Sequence, residues 1–334
     1  MSVYYRPLVQ SDPFRPDNAL PLAGGRSWFT HVEILERGRP SERIEAVELP
    51  DDAHAALTEP REPIAGLSMD RARIMAVMNV TPDSFSDGGM LSAPGAAKDR
   101  ANQLIEAGAD ILDIGGESTR PGADTVPVPL EITRVVPLIT TLRLTGVTVP
   151  ISVDTRKSLV AQPALAAGAN IINDVAGLTY DPLLAGVVAL NNAPVCLMHA
   201  QGDPKTMQDA PSYDNVLLDV YDFLADRIQA AETAGIPRSR IMIDPGIGFG
   251  KTLKHNLTLL QGISLFHGLG CPILLGVSRK RMIGEIGKEP DALKRAPGSI
   301  AIALEAARQG VQILRVHDVK ETRQALSLSE AVWG

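Results

Sequence analysis

Aromatic side chains make up only 4% of the 334 residues, and there are just two cysteines, Cys196 and Cys271. So few thiols exclude a disulfide-stapled scaffold and fit a reducing compartment. No apolar run approaches the ~18–20 residues that a membrane helix needs. The opening Met1-Ser2-Val3-Tyr4-Tyr5-Arg6-Pro7 lacks the apolar stretch of a secretion signal. Nor is positive charge in excess: Lys+Arg 32 against Asp+Glu 39 gives a net charge of −7, so no global basic field directs the chain to nucleic acid or an anionic membrane. What is abundant is apolar mass, 45% of the residues beside 21% charged ones, which is enough for a full-sized core. A cytoplasmic globular protein is expected.

Residues 1–70 read differently from 71–334. The first segment carries scattered proline and charge, as in Asp12-Pro13-Phe14-Arg15-Pro16-Asp17, with little helical periodicity. Trp28 to Leu35 and Arg43 to Leu49 are suited to pair as a β-hairpin across Gly38-Arg39-Pro40. The segment is therefore read as an N-terminal extension whose role the sequence does not disclose.

From Arg73 onward, short aliphatic runs alternate with Ala/Leu-rich amphipathic stretches. The runs are Ile74–Met78, Ile111–Ile114, Ile151–Val153, Ile171–Ile172, Val195–Met198, Ile241–Ile243, Ile273–Leu275 and Ile313–Val316. Between them, Ala97, Ala101, Leu104, Ile105 and Gly108 recur at helical spacing, as do Val216, Val220, Phe223, Leu224 and Ile228. The joints Ala107-Gly108-Ala109, Ala167-Gly168-Ala169 and Gln309-Gly310-Val311 place glycine where a left-handed residue ends a helix. Strand–helix units in series imply parallel strands buried on both faces. Roughly 260 residues suit a (β/α)8 barrel, for which ~250 is typical. A doubly wound open sheet is the alternative, and the unbroken series of units favours the closed barrel.

In such a barrel the site forms where the strands end. Asn79 follows the first strand. Asp113 lies in the second, with Glu117-Ser118-Thr119-Arg120 after it, and Asp154 ends the third. Asn173 and Asp174, His199, Asp244, Ser278-Arg279-Lys280, and Arg315 with His317 follow on the remaining strands. Polar residues at every strand end point to one large polar pocket.

Absences narrow its chemistry. There is no Gly-x-Ser-x-Gly elbow, no His-Glu-x-x-His and no paired-cysteine spacing, so nothing supports nucleophilic hydrolysis or a closed zinc site. Gly246-Ile247-Gly248-Phe249-Gly250-Lys251-Thr252 resembles a phosphate loop, yet position 245 is proline, which lacks the N–H a phosphate cradle uses. What remains is carboxylates and amides beside cations. Asp154, Asn173 and Asp244 are costly to bury without donors, and suit a flat heterocycle with N–H groups along one edge. Lys280, Arg315, His317 and Arg120 suit a polyanion such as diphosphate, or salt-bridging with the neighbouring aspartates.

These segments resemble those of a known family. Met78-Asn79-Val80-Thr81-Pro82-Asp83-Ser84-Phe85-Ser86-Asp87-Gly88-Gly89 is similar to the opening signature of dihydropteroate synthases. Asp113-Ile114-Gly115-Gly116-Glu117-Ser118-Thr119-Arg120-Pro121-Gly122 and Ser152-Val153-Asp154-Thr155 match in turn. So do Asn173-Asp174, Leu197-Met198-His199, Asp244-Pro245-Gly246 through Lys251, Ser278-Arg279-Lys280 and Arg315-Val316-His317-Asp318-Val319. The resemblance runs from about Arg73 to the C-terminus, and residues 1–70 carry none of it. Arg281 stands where the pattern has a small hydroxyl residue, a departure that bears on local loop geometry.

The resemblance implies a pterin-binding (β/α)8 barrel, homodimeric and dependent on Mg2+, that joins p-aminobenzoate to dihydropterin pyrophosphate and releases diphosphate. It also implies a sulfonamide target. Asp154, Asn173, Asp244 and Lys280 would hold the pterin, with Met198, Gly276 and Phe249 as walls. Asn79 would reach the metal and diphosphate, and Arg120, Arg315 and His317 the diphosphate. Thr119, Pro121, Ser278 and Phe249 would frame p-aminobenzoate. Two nearby readings are a pterin-binding methyltransferase of the same barrel family, which should lack the diphosphate set, and a catalytically silent pterin-binding protein. The loops Asp83–Gly89 and Glu117–Gly122 are rich in Gly, Ser and Pro, which leads to the expectation that the pterin binds first and orders them for p-aminobenzoate.

Overall fold

The computed structural model describes residues 2–80, 94–118, 123–202 and 206–333. The chain opens with three antiparallel strands, β1 (Val3–Pro7), β4 (His31–Glu36) and β5 (Glu42–Glu45), in the order β1-β4-β5. A separate two-stranded ribbon joins β2 (Leu20–Pro21) to β3 (Trp28–Phe29). The expected hairpin is thus real but shorter. Its register runs from His31↔Glu45 to Ile34↔Glu42, while Trp28 pairs with Pro21 instead. Beyond β5, Ala46–Glu48 turns into a 3-10 helix. Helix α1 (Asp51–Thr58) follows, with Asp51 and Asp52 in its first turn where the helix dipole favours them. It went unexpected because its eight residues bury one side chain, Leu57, and so show no apolar period.

Each of the eight aliphatic runs then forms a strand: β6 (Arg73–Asn79), β7 (Ile111–Gly115), β8 (Ile151–Asp154), β9 (Ile171–Asp174), β10 (Val195–Met198), β11 (Ile241–Asp244), β12 (Leu274–Leu275) and β13 (Ile313–Val316). They are parallel neighbours in the order β11-β10-β9-β8-β7-β6-β13-β12. A parallel bridge between Ile243 and Ile273, with Ile243 N–H donating to Pro272 O at 3.0 Å, joins the two edges. The sheet is a closed barrel, and the open-sheet alternative is excluded.

Helices α2 (Pro94–Glu106), α3 (Val128–Leu144), α4 (Ser158–Ala166), α5 (Leu184–Leu190), α6 (Val216–Thr233), α7 (Leu253–Gln261), α8 (Arg281–Ile286), α9 (Ala296–Arg308) and α10 (Val319–Trp333) surround it. The joints behave as their sequence implies, with Gly108 at φ 103° and Gly168 at φ 110° ending α2 and α4. None of the helices described is long and apolar enough to cross a membrane.

Two apolar layers set the barrel's interior apart from its jacket. Alternate strand residues such as Leu112, Ile114, Val153 and Leu197 face the helices. Met75, Ile111, Ile171, Cys196, Met242, Leu274 and Ile313 fill the inside near the strand starts, where Ile64 and Met69 from the preceding segment close the floor. That segment is also fastened outside the barrel. Tyr4 Oη donates to Asp222 at 2.9 Å, Arg37 pairs with Asp219 and Asp222, and Ser264 donates to the Pro7 carbonyl.

Candidate active site

Strand side chains alternate, so two residues beyond each interior apolar residue the chain presents another to the same inner face. From Ile111 this gives Asp113, from Ile171 Asn173, from Cys196 Met198, from Met242 Asp244, from Leu274 Gly276 and from Ile313 Arg315. Asp154 lies level with Gly115 and Asn173 in the parallel register. The apolar floor thus turns into a polar ring one layer up.

Its centre is a charge cluster. Arg315 Nε donates to Asp113 Oδ2 at 2.6 Å and Nη2 donates to Asp154 Oδ2 at 2.9 Å. Asn173 Nδ2 donates to Asp113 Oδ2 at 3.3 Å. Burial disfavours the Arg315 charge, but Asp113 and Asp154 outweigh it and hold the guanidinium firmly protonated. Burial pushes the Asp154 carboxyl up to about 7 against the pull of Arg315. Asp244 is likewise raised by burial, although Lys280 and the Gly246 N–H, at 2.7 Å, favour its ionised form. Asp113 Oδ1, Asp154 Oδ1 and Ser152 Oγ are buried with no hydrogen-bond partner among the described residues. Orphaned acceptors on this scale are what a ligand with N–H donors would satisfy.

The glycine-rich loop after β11 forms one wall. Lys280 donates to the Ile247 carbonyl, and its ammonium lies 4.5 Å from the Phe249 ring centroid. Burial brings Lys280 down to about 8. Gly246 has φ 68°, and a Cβ there would run into the His199 carbonyl, so the loop lies flat on the exit of β10. This is packing, not a phosphate cradle: Lys251 turns inward to His199, with Nζ 2.8 Å from Nδ1.

Beside that wall, after β12 and β13, His317 Nδ1 is 3.0 Å from Ser278 Oγ, and the His317 N–H donates to the same oxygen. The Asn79 side-chain oxygen sits above Gly115, beside Asp154. The structure therefore brings Asn79, Asp154, Asn173, Met198, Asp244, Phe249, Gly276, Ser278, Lys280, Arg315 and His317 to one mouth. Thr119, Arg120 and Pro121 lie outside the described residues, as do Asp83–Gly89. Arg281 points away, almost fully exposed near Glu285. Asp174 shapes the turn after β9 by accepting from the Ala176 and Leu178 N–H groups.

Three features were given no role from sequence. Asp113 is the fully buried partner of Arg315, and the period of two that sets Ile111 inward could have exposed it. The second is the Lys251–His199 contact. The third is a buried ion network behind β7 and β8, in which Lys157 bridges Glu117 and Glu131. Glu117 also accepts from the Val126 N–H at 2.8 Å, tying the start of its loop to the end.

A family model described as pterin binding enzyme matches residues 75–317, which covers the barrel and this mouth. Fold and site together define a pterin-binding barrel. The dihydropteroate synthase of Escherichia coli is 46% identical over 265 residues, 79% of this chain and 93% of that protein. The solved dihydropteroate synthase of Xanthomonas albilineans with 4-aminobenzoic acid is 49% identical, with a TM-score of 0.76 over 82% of this chain and 98% of that one. The Yersinia pestis dihydropteroate synthase in complex with a sulfonamide drug is 44% identical, also at TM-score 0.76, over 80% of this chain and 98% of that one. The chain belongs to the dihydropteroate synthases, a family of transferases.

Proposed function

We propose that the chain condenses p-aminobenzoate with 7,8-dihydropterin pyrophosphate, giving 7,8-dihydropteroate and diphosphate in folate biosynthesis. The observation that carries this reading is the polar ring of Asp113, Asp154, Asn173, Asp244 and Arg315, with unpartnered oxygens buried at its centre. Asp154, Asn173 and Asp244 accept and donate along the pterin edge, Lys280 faces its carbonyl side, and Met198, Gly276 and Phe249 flank the ring.

The methylene C–O bond breaks with its electron pair going to diphosphate. The arylamine nitrogen attacks the freed carbon and loses a proton. Asp154 and Asp244 stabilise the positive charge that develops on the pterin, so no covalent nucleophile is needed. Arg315, His317 and Arg120 serve the leaving group, and Thr119, Pro121, Phe249 and Ser278 frame p-aminobenzoate.

The proposal includes Mg2+. Among the described residues no group of three or more His, Cys, Asp or Glu is placed to hold a metal. Mg2+ needs no such cage, since it keeps waters and binds through one or two protein oxygens plus substrate phosphates. The Asn79 side-chain amide oxygen at the mouth fits that demand. When bound, the ion would neutralise charge on the departing diphosphate.

We read residues 71–334 as the catalytic barrel and 1–70 as an extension, and the assembly as a cytoplasmic homodimer, which light scattering tests. Mixing enzyme with both substrates and Mg2+ should release one diphosphate per dihydropteroate formed. Pterin turnover without p-aminobenzoate incorporation would overturn the proposal. Arg315→Ala should weaken diphosphate binding far more than binding of a pterin that lacks it. Equal losses would assign Arg315 to holding Asp113 and Asp154 alone.

A further inference from the structure

The glycine-rich segment after β11 ends in a lysine that neither phosphate binding nor the proposed chemistry employs. Lys251 is buried, and its ammonium has no carboxylate partner among the described residues. Instead it meets three acceptors: His199 Nδ1 at 2.8 Å, the Phe249 carbonyl at 3.0 Å and the His199 carbonyl at 3.4 Å. His199 is held in turn, its ring edge-on to Phe223 at 4.8 Å and tilted against Tyr213 at 5.9 Å. Tyr213 Oη donates to the Gly250 carbonyl at 2.7 Å, so the same aromatic cluster grips the backbone on the other side of Phe249. At Gly250 a Cβ would strike Gln201, which shows how closely the two loops lie. Burying a lysine costs free energy, which here only hydrogen bonds to neutral acceptors offset. Burial pushes this ammonium well below its usual range and holds the His199 imidazole neutral, so that Nδ1 is free to accept.

We propose that Lys251, keyed by His199, is a positioning residue that sets the Phe249 ring against the pterin and p-aminobenzoate by fixing the Phe249 carbonyl. It touches no substrate. It stitches the loop after β11 to the loop after β10, and the ring it orients is the one over which the Lys280 ammonium lies. This inference rests on the reading of Phe249 as a wall of the substrate site.

The test uses the full-length enzyme and two readouts. These are the Kd of 6-hydroxymethyl-7,8-dihydropterin by calorimetry and the KM for p-aminobenzoate. Lys251→Met should worsen both by roughly five- to tenfold, the upper part of the range for losing an ordinary hydrogen bond. Lys251→Gln, which can still donate to the Phe249 carbonyl, should restore both to within about twofold of the parent. His199→Phe keeps the ring packing but removes the acceptor, and should shift both in the same direction as Lys251→Met. It also serves as the readout if Lys251→Met does not fold.

In a Phe249→Ala background, Lys251→Met should add nothing further, because the ring through which it acts is gone. Unchanged constants in Lys251→Met, or the same loss with and without Phe249, would overturn the inference. If Phe249→Ala alone leaves both constants unchanged, the reading of Phe249 as a wall fails, and the inference fails with it. A purely structural lysine would lower Tm and the active fraction while leaving Kd and KM where they were.

Discussion

At the scale of single residues, the informative group is Asp154, whose carboxyl is pushed up to about 7 from 3.8 by burial. Between those two values the folded chain holds a proton that the unfolded chain has lost. Stability therefore falls as pH rises through that window. The difference in Tm between the parent and Asp154→Asn, followed from pH 4 to pH 8, should trace this loss. A ligand that presents N–H donors or positive charge to Asp154 favours its ionised form, so pterin binding near pH 6 should release a proton. Lys280, brought down to about 8, should take one up when a ligand accepts from it above that pH. Calorimetry in buffers of different ionisation enthalpy checks both signs.

Asp113 carries a separate prediction. It is fully buried and receives both Arg315 and Asn173. Asp113→Ala leaves Arg315 short of a partner and should destabilise the fold by about 3–5 kcal/mol, as measured by urea unfolding. From sequence Asp113 counts among the polar residues of the pocket but receives no binding role of its own. What distinguishes it is the side of the strand it faces, and that follows from the alternation beginning at Ile111.

Among the elements, the barrel strands were legible because burial on both faces leaves near-continuous aliphatic runs that end abruptly in Asp, Asn or Arg. The segment before Arg73 was legible only in its hairpin of β4 and β5. Its strands run two to six residues, and α1 rests on the single buried Leu57. Pairings such as Tyr4↔Leu35 and Tyr5↔Ile34 join residues far apart in the chain, and local pattern carries no trace of them. The loop after β11 shows the converse, a pattern that suggests phosphate binding where the structure uses glycine for close approach. Gly246→Ala should lose about 1–2 kcal/mol from the left-handed backbone alone, with the collision at His199 added, and should weaken pterin binding. Gly186, within α5, has no atom within 4 Å of a Cβ built there, so Gly186→Ala should stabilise the chain by about 0.5–1 kcal/mol with kcat unchanged.

For the whole molecule, the first seventy residues act in two places. Tyr4, Arg37 and Pro7 fasten them to α6 and to the 3-10 helix Ile263–Leu269, while Ile64 and Met69 seat in the barrel floor. Deleting residues 1–60 should therefore lower Tm while kcat stays close to that of the full chain. Deleting through residue 70 also removes Ile64 and Met69, and should give insoluble protein. With the floor shut by those two side chains, the doorway lies at the strand ends. On the assignment proposed above, the pterin takes the innermost berth and p-aminobenzoate the outer one. Traffic is then first in, last out: an outer berth taken too early bars the way in, and the finished product has to back out with its pterin end trailing.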